Sequence, residues 1–542
     1  MKLRFKNILP AAAIALSLTG LSSCTGDLDV ENINPQQVSK FDQNAIFNKV
    51  YANMVLTGQT GPDGNKDIQD VDEGASNMIR QIWNANELTT DEAECTWGDQ
   101  GLPEYNHNTW GDSHPMLQAL YYRLMFGVTV SNFFLTQTSS STDATTHVER
   151  AEVRFMRALY YYYMMDFYGN PPMATTMDEP KPKQATRLEA FNFVESELKA
   201  VLGENANDNA DVLSDAPVSY GRASKAAANL LLARIYINAK IYTGTERWND
   251  AKTYAQKVLS DKNFSLLTSD SNGYTAYQKL FMGDNDTNGA QNEIILPAIH
   301  DGITTQTWGG CLFIIASTTN GDMLKQFSTG TTENWGGNRC RLQFTQQFFP
   351  NNDAAQDSLP PRIAKKAGDD RALFYTWKRK PSIEDESSFG SGYAYVKFLN
   401  VHSDGTQVHH TQFVDTDFPM LRMAEAYLIY AEADARINGG SCTPDGIEKL
   451  NTLRTRAHAT KTLTSADLDV LCSEWSREFG FEAMRRTTLI RFNKYGGQSA
   501  YKWQWEGGEE NGKSFDAHYN IFAIPASDMN ANSENLKQNP GY

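Results

Sequence analysis

A helix pair that recurs along the chain limits the fold more than any other feature of this sequence. In the first copy a helix over residues 150–168 opens on Arg150-Ala151-Glu152-Val153-Arg154-Phe155 and is stopped by Gly169 and Pro171-Pro172; its partner covers 188–202. The second copy runs over 222–242 with Ala226, Ala227, Leu230, Leu231, Ala233 and Tyr236, and its partner over 248–259 sets Ala251, Ala255 and Val258 on one side. The third runs over 418–437 with Ala424, Ala426, Ala431 and Ala433, followed by a partner over 446–458. Alanines at helical spacing beside large aromatics let two helix axes approach closely while the rings fill the grooves. Further helices over 42–56 and 116–134 bring the count toward four pairs.

Pairs of this size stacked in tandem are similar to tetratricopeptide repeats, in degenerate form. The expected fold is therefore mainly α, with helical repeats at about 42–260 and 418–490. Between them, at about 261–417, Gly, Asn, Asp, Ser and Thr are frequent, and short apolar runs at 294–297 and 312–316 read as strands. This insertion reads as a loop-rich, mixed α/β cap on the helical scaffold. The segment 61–108 reads as loop, and the stretch after Tyr495 returns to loops. No low-complexity linker interrupts the chain, which predicts one composite domain over 24–542.

Residues 1–23 read as a processing signal. Lys2, Arg4 and Lys6 precede an apolar stretch over 8–21 that is too short and too interrupted to span a bilayer. It ends in Leu21-Ser22-Ser23-Cys24, the arrangement in which cleavage leaves Cys24 ready for acylation. The plainer alternative is an ordinary secretory signal with an incidental cysteine. No later apolar run reaches the roughly 20 residues a spanning helix needs. The formal charge is −16, and −19 without Lys2, Arg4 and Lys6. That argues against nucleic acid, anionic lipid surfaces and strongly acidic polysaccharides as main ligands. Beyond Cys24, five cysteines remain, at positions 95, 311, 340, 442 and 472, with no zinc-ligand spacing. They read as mostly buried thiols, with a Cys311–Cys340 bridge left open.

The stretch 150–169, then Gly221-Arg222-Ala223, Phe418-Pro419-Met420-Leu421-Arg422-Met423-Ala424-Glu425-Ala426-Tyr427-Leu428, Leu450-Asn451-Thr452-Leu453-Arg454-Thr455-Arg456-Ala457 and the terminal Gln538-Asn539-Pro540-Gly541-Tyr542 resemble the SusD/RagB family in order and spacing. The resemblance departs only at 476–486, in a helix expected over 473–486. It implies a lipid-anchored protein on the cell surface that captures a glycan, without chemistry, for a SusC-like, TonB-dependent outer-membrane transporter. Arg80, Asn86-Glu87-Leu88, Thr90-Asp91-Glu92, Trp97, residues 367–373 and Asp415-Thr416-Asp417 look like the starch-binding member of the family. Carried over to this chain, that member's aromatic arc falls on Trp97, Trp308 and Trp335, where Trp308 replaces a tyrosine.

The residues support this reading on chemical grounds. A pyranose has apolar C–H faces and a hydroxyl rim, and an indole offers a flat face of matching size. Trp97 is followed by Gly98, Asp99 and Gln100; Trp308 precedes Gly309-Gly310; Trp335 lies between Glu333-Asn334 and Gly336-Gly337. Arg80, Asp99 and Gln100 are the expected hydrogen-bonding partners of a sugar near Trp97. Trp83, Trp110, Trp248, Trp377 and Trp475 are expected to pack in the core or between helices. Asp284, Asp286, Asn288 and Gly289 follow the first half of a calcium loop but lack its closing acid, which leaves open a structural calcium finished by distant ligands. No G-x-S-x-G, H-E-x-x-H, phosphate loop or dinucleotide fingerprint is present, and His409-His410 reads as a solvent-facing pair. The expected ligand is a neutral oligo- or polysaccharide, starch-like or xyloglucan-like. The alternatives are a RagB-like peptide-binding lid and, less favoured, a glycoside hydrolase, which would need two convergent acids beside the arc.

Overall fold

A computed structural model describes residues 41–69, 71–178, 181–204, 210–497 and 499–542. The leader and Cys24 lie outside the described residues. The chain divides into two units, 1–46 and 47–542. Only 41–46 of the first are described; the second holds the scaffold and its cap. Among the described residues no helix is long and apolar enough to cross a membrane.

The scaffold helices are α1 (Pro115–Gln137), α2 (Ala144–Tyr168), α3 (Arg187–Val201), α4 (Lys225–Ile237), α5 (Trp248–Leu259), α6 (Met423–Ile437), α7 (Pro444–Arg456) and α8 (Leu468–Phe479). Each packs on the next from α1 to α7, and α6 lies against α4 and α5 although more than 160 residues of insertion separate α5 from α6 in the chain. The small residues set these contacts. α5 buries Ala251, Tyr254, Ala255 and Val258, one face at helical period, and α6 buries Ala424, Ala426, Ala431, Ala433 and Ala435. In α1, a side chain on Gly127 would meet the Tyr160 ring of α2 at 2.6 Å, so the glycine is what admits that ring. Capping side chains start several helices: Asp143 accepts from the Thr146 N–H (2.8 Å), Asp467 from that of Val470 (2.9 Å), and Thr186 forms a capping box with Glu189.

Among the described residues, three two-stranded antiparallel sheets take at least one strand from the insertion: β1 (Ala93–Cys95) with β3 (Asn338–Cys340), β2 (Ile294–Ala298) with β6 (Phe418–Arg422), and β4 (Phe374–Tyr375) with β5 (Ala394–Tyr395). The structure corrects several expectations. The helix expected over 418–437 begins only at Met423, because 418–422 pairs with β2. The run 312–316 is no strand but the middle of the helix Gly310–Ser317, buried all round; a short continuous apolar run has no period to tell the two apart. The helix expected over 473–486 breaks at Gly480, where Phe481 and Ala483 take positive φ, and resumes at Arg485–Arg491. The segment 61–108 holds the helices Met78–Trp83 and Leu102–His107 as well as β1. All five described cysteines are free, so Cys311 and Cys340 form no bridge.

Cap and scaffold are joined by buried charge. Glu478 of α8 accepts from Arg371, Arg422 (2.8 Å) and Arg456, while Arg422 also holds Glu482 (2.6 Å) and Arg456 holds Glu293 (2.9 Å). Arg371 belongs to the insertion, Arg422 ends β6, Arg456 ends α7, and Glu293 precedes β2. These side chains are at most 1 % exposed. Burial would raise the Glu478 carboxyl, but the guanidinium groups of Arg456, Arg422 and Arg371 outweigh it and hold it far below the usual carboxylate range. A second buried acid behaves oppositely. Burial pushes Asp417 up to about 8, although it accepts from the His300 N–H (2.7 Å) and the Tyr220 hydroxyl (2.7 Å).

Both carboxyl groups are open to test. Glu478→Ala leaves three guanidinium groups without their shared carboxylate, and urea unfolding is expected to show a loss of about 3–5 kcal/mol. The stabilisation from ionised Glu478 is complete above the unfolded carboxyl value near ~4 and is lost as pH falls below it; a loss under 1 kcal/mol at neutral pH contradicts the network's role. Asp417 has the other sign. Between about pH 4 and 8 the unfolded chain has released this proton while the folded chain keeps it, so wild-type stability declines as pH rises. Asp417→Asn, which mimics the protonated form, is therefore expected to match wild type near pH 4 and exceed it increasingly toward pH 8, by up to about 1.4 kcal/mol per unit. A pH-independent difference in urea midpoints contradicts a proton on Asp417.

Candidate functional site

Trp97, Trp335 and Trp308 stand in one row on the cap. Trp335 is in the middle, its ring centroid 6.4 Å from that of Trp97 and 6.4 Å from that of Trp308. Main-chain pairing sets the first spacing. In the β1–β3 ladder Cys95 faces Asn338, the Thr96 N–H then donates to the Gly337 carbonyl (3.1 Å), and the Trp97 indole N–H donates to that of Gly336 (2.8 Å). The helix Gly310–Ser317 sets the second spacing. It starts two residues after Trp308, and its last carbonyls, on Ala316 and Ser317, accept from the N–H groups of Trp335 (2.8 Å) and Gly337 (2.7 Å). Asn77, the buried N-cap of Met78–Trp83, holds the other end: its Oδ1 accepts from the Arg80 and Gly310 N–H groups, both at 3.0 Å. A side chain on Gly309 would lie 2.2 Å from Asn77 Cβ, and one on Gly337 would lie 2.4 Å from the Trp97 ring. These two glycines are steric requirements of the row.

All three rings are half-buried. Protein acceptors take the indole N–H groups: Gly336 for Trp97, Glu333 Oε2 for Trp335 (2.6 Å) and Asp63 Oδ1 for Trp308 (2.7 Å). With their edges pinned, what the rings can offer a ligand is their faces. Successive planes are inclined at 54° and 49°, so neighbouring faces are not coplanar. Buried Phe313 lies behind it, 6.3 Å from Trp97, and buried Phe413 flanks Trp308 at 5.1 Å.

Arg80 belongs to the same place. Its guanidinium sits 4.8 Å over the Phe313 ring, a side chain on Gly74 would meet Trp308 at 2.8 Å and Arg80 Nη1 at 3.6 Å, and among the described residues no ion pair or hydrogen-bond acceptor engages its Nε. Burial lowers its proton affinity, with Asp72 and Asp99 acting in the opposite sense. Asp99 and Gln100 stand exposed on the turn after Trp97. Sequence reasoning missed Phe313 and Phe413, since apolar residues on separate loops carry no spacing signal. It also missed Glu333 and Asp63 as the residues that orient rings.

The turn at 284–289 is closed by hydrogen-bond donors. Asp284 Oδ1 accepts from the Asn288 amide (3.0 Å), its Oδ2 from the Ser403 N–H (2.9 Å) and hydroxyl (2.6 Å), and Asp286 meets only Thr287. Among the described residues no cluster of His, Cys, Asp and Glu converges as metal ligands. In this structure the Asp284 carboxylate is engaged by N–H and O–H groups.

A tandem helical scaffold carrying a row of edge-pinned aromatic faces has the build of a binding protein. A family profile described as "SusD family" matches residues 316–542, and one described as "Starch-binding associating with outer membrane" matches 28–237. The chain is 37 % identical to the starch-binding protein SusD of Bacteroides thetaiotaomicron over the whole of both chains, and 24 % identical to a SusD-like protein of Bacteroides ovatus over 79 % of this chain and 72 % of that one. The chain belongs to the SusD family. Two solved structures share its fold: a SusD superfamily protein of Parabacteroides distasonis (TM-score 0.67, 19 % identity, 93 % of this chain and 100 % of that one) and surface glycan-binding protein A of B. thetaiotaomicron in complex with laminarihexaose (TM-score 0.65, 18 % identity, 92 % and 98 %).

The packing of Gly337 on Trp97 is testable without a ligand. Gly337→Ala is expected to cost about 1–3 kcal/mol in urea unfolding by overpacking. In a Trp97→Ala background, where the methyl has room, most of that cost is expected to vanish. An equal cost in both backgrounds means that Gly337 serves something other than the ring.

Proposed function

We propose that this chain is a non-catalytic binding protein that captures a neutral glycan on the row Trp97–Trp335–Trp308, and that the glycan is an α-linked glucan of the starch type. The observation that carries the reading is the row itself: three indole faces, edges pinned by protein acceptors, each plane inclined by about 50° to the next. Each face matches the C–H face of one sugar, and faces inclined to one another suit a chain that coils, as α-glucan does, better than a flat β-linked ribbon. Arg80 would donate to ring hydroxyls with groups that no described carboxylate pairs with, and Asp99 and Gln100 would supply further polar contacts beside Trp97. A relative named for starch binding supports the same choice. A peptide-binding lid would have no use for a row of flat faces, and the relatives are named as binding proteins, not hydrolases.

The same reading places the protein at the outer face of the outer membrane, acylated on Cys24 and acting as the capturing lid of a SusC-like, TonB-dependent barrel. The leader ending at Cys24 and a family described as associating with the outer membrane support this.

Titration calorimetry with a maltooligosaccharide tests the site. Trp335→Ala removes the central ring and is expected to cost about 2 kcal/mol or more, roughly a thirtyfold loss of affinity; Trp97→Ala and Trp308→Ala should weaken binding by smaller factors. Melting temperatures should barely move, since the rings are half outside the core. Unchanged affinity in all three variants places the site elsewhere. Shortened products after long incubation of wild type with the sugar would overturn the non-catalytic reading.

A further inference from the structure

We propose that Trp377 is a second, outlying sugar platform, which stacks on a distant stretch of the same long neutral glycan that occupies the tryptophan row. This rests on the glycan reading of that row. Tryptophan is seldom left in solvent, because its large apolar area is worth burying. Of the ten tryptophans in the chain, Trp377 was expected in the core, yet it is 44 % exposed.

The loop that bears Trp377 is held firmly. The Thr376 hydroxyl donates to the Ala355 carbonyl (2.7 Å), the Lys378 N–H to Gln356 Oε1 (2.7 Å), and the Gln356 amide back to the Arg379 carbonyl (2.9 Å). Arg379 is tied in turn to the carbonyls of Phe389 (2.6 Å) and Gly392 (3.1 Å). Between these anchors Lys378 takes φ 57°, a conformation that a non-glycine residue adopts only when its surroundings impose it. An exposed ring on a clamped, strained loop is preorganised, which lowers the entropic cost of binding.

The surroundings match those of the row. The groups shown near the ring are polar: Lys378, whose Nζ is 6.0 Å from the ring centroid, and the exposed Gln356, which accepts from the Lys378 N–H. A protein-docking patch would instead be contiguous and apolar. The loop also continues into the row. The Arg379 guanidinium lies 4.3 Å over the Phe389 ring, and a side chain on Gly336, the residue after Trp335, would meet that ring at 3.2 Å. Trp377 and Trp335 thus belong to the same insertion and are linked through Arg379, Phe389 and Gly336. A short oligosaccharide can occupy only one of the two places. A polysaccharide can occupy both, and the second contact then forms at high effective concentration.

The test compares maltoheptaose, by calorimetry, with soluble starch, by affinity electrophoresis. Trp377→Ala is expected to leave the maltoheptaose Kd within about twofold of wild type and to weaken starch retention by about three- to tenfold, with retention largely restored in Trp377→Phe. Trp335→Ala is the control and should weaken both. Full starch retention by Trp377→Ala, beside loss in Trp335→Ala, overturns the second platform and leaves the first reading standing. Equal weakening of both ligands by Trp377→Ala also overturns it, because Trp377 then supports the row. Wild-type binding of both ligands by Trp335→Ala overturns the parent reading instead.

Discussion

The carboxylate of Glu478 is the point on which the rest of this structure depends. Three guanidinium groups reach it from the insertion, from the end of β6 and from the end of α7. Each is buried, so each must find its partner or carry an uncompensated charge in a medium that cannot solvate it. Apolar packing alone tolerates small slides between layers. A buried network of charged hydrogen bonds is satisfied in one arrangement only, and it therefore specifies how the cap sits on the repeats. The neighbouring pairs extend the effect. Arg485 holds Asp91 at 2.7 Å and Ser476 holds Glu92 at 2.6 Å, so the segment leading into β1 is fixed to the end of α8.

From that anchoring the tryptophan row is reached by short steps. β1 is held, β3 pairs with it in a single register, and Trp97 and Trp335 arrive side by side. The helix Gly310–Ser317, which starts two residues after Trp308 and accepts from the Trp335 N–H at its end, then ties Trp308 to Trp335. None of the three rings chooses its own position: backbone places them, glycines make room and carboxylates or carbonyls hold the indole edges. A row built this way needs no ligand to take shape, and the tilt between its rings is a property of the scaffold.

Much of the scaffold was legible in the sequence, because alanines and aromatics at helical period report a buried face directly. The pair α4–α5 and the start of α6 show this well. The insertion was harder to read. The run Leu312–Ala316 carries no period, and a segment buried on every side looks alike as helix or strand. Residues 418–422 continue the helical pattern of α6 yet become a strand, because β2 is there to pair with them. Trp377 reads like any other tryptophan until its loop is seen to be clamped with the ring outward. Nothing local in the acidic turn at 284–289 announces that Ser403, distant in the chain, donates to Asp284.

The sequence by itself determined the helical repeats, which are written in local spacing and residue type, and, through its resemblance to a known family, the membership of that family and the three tryptophans that merit attention. Tertiary structure alone decided that the rings form one row of mutually inclined faces, that Arg80 lies beside them with no ion pair among the described residues, and that a fourth tryptophan stands in solvent on the same cap. The reason is physical: ring spacing and exposure depend on strand register and on buried ion pairs between residues hundreds of positions apart, and no local pattern encodes a distance across such a gap.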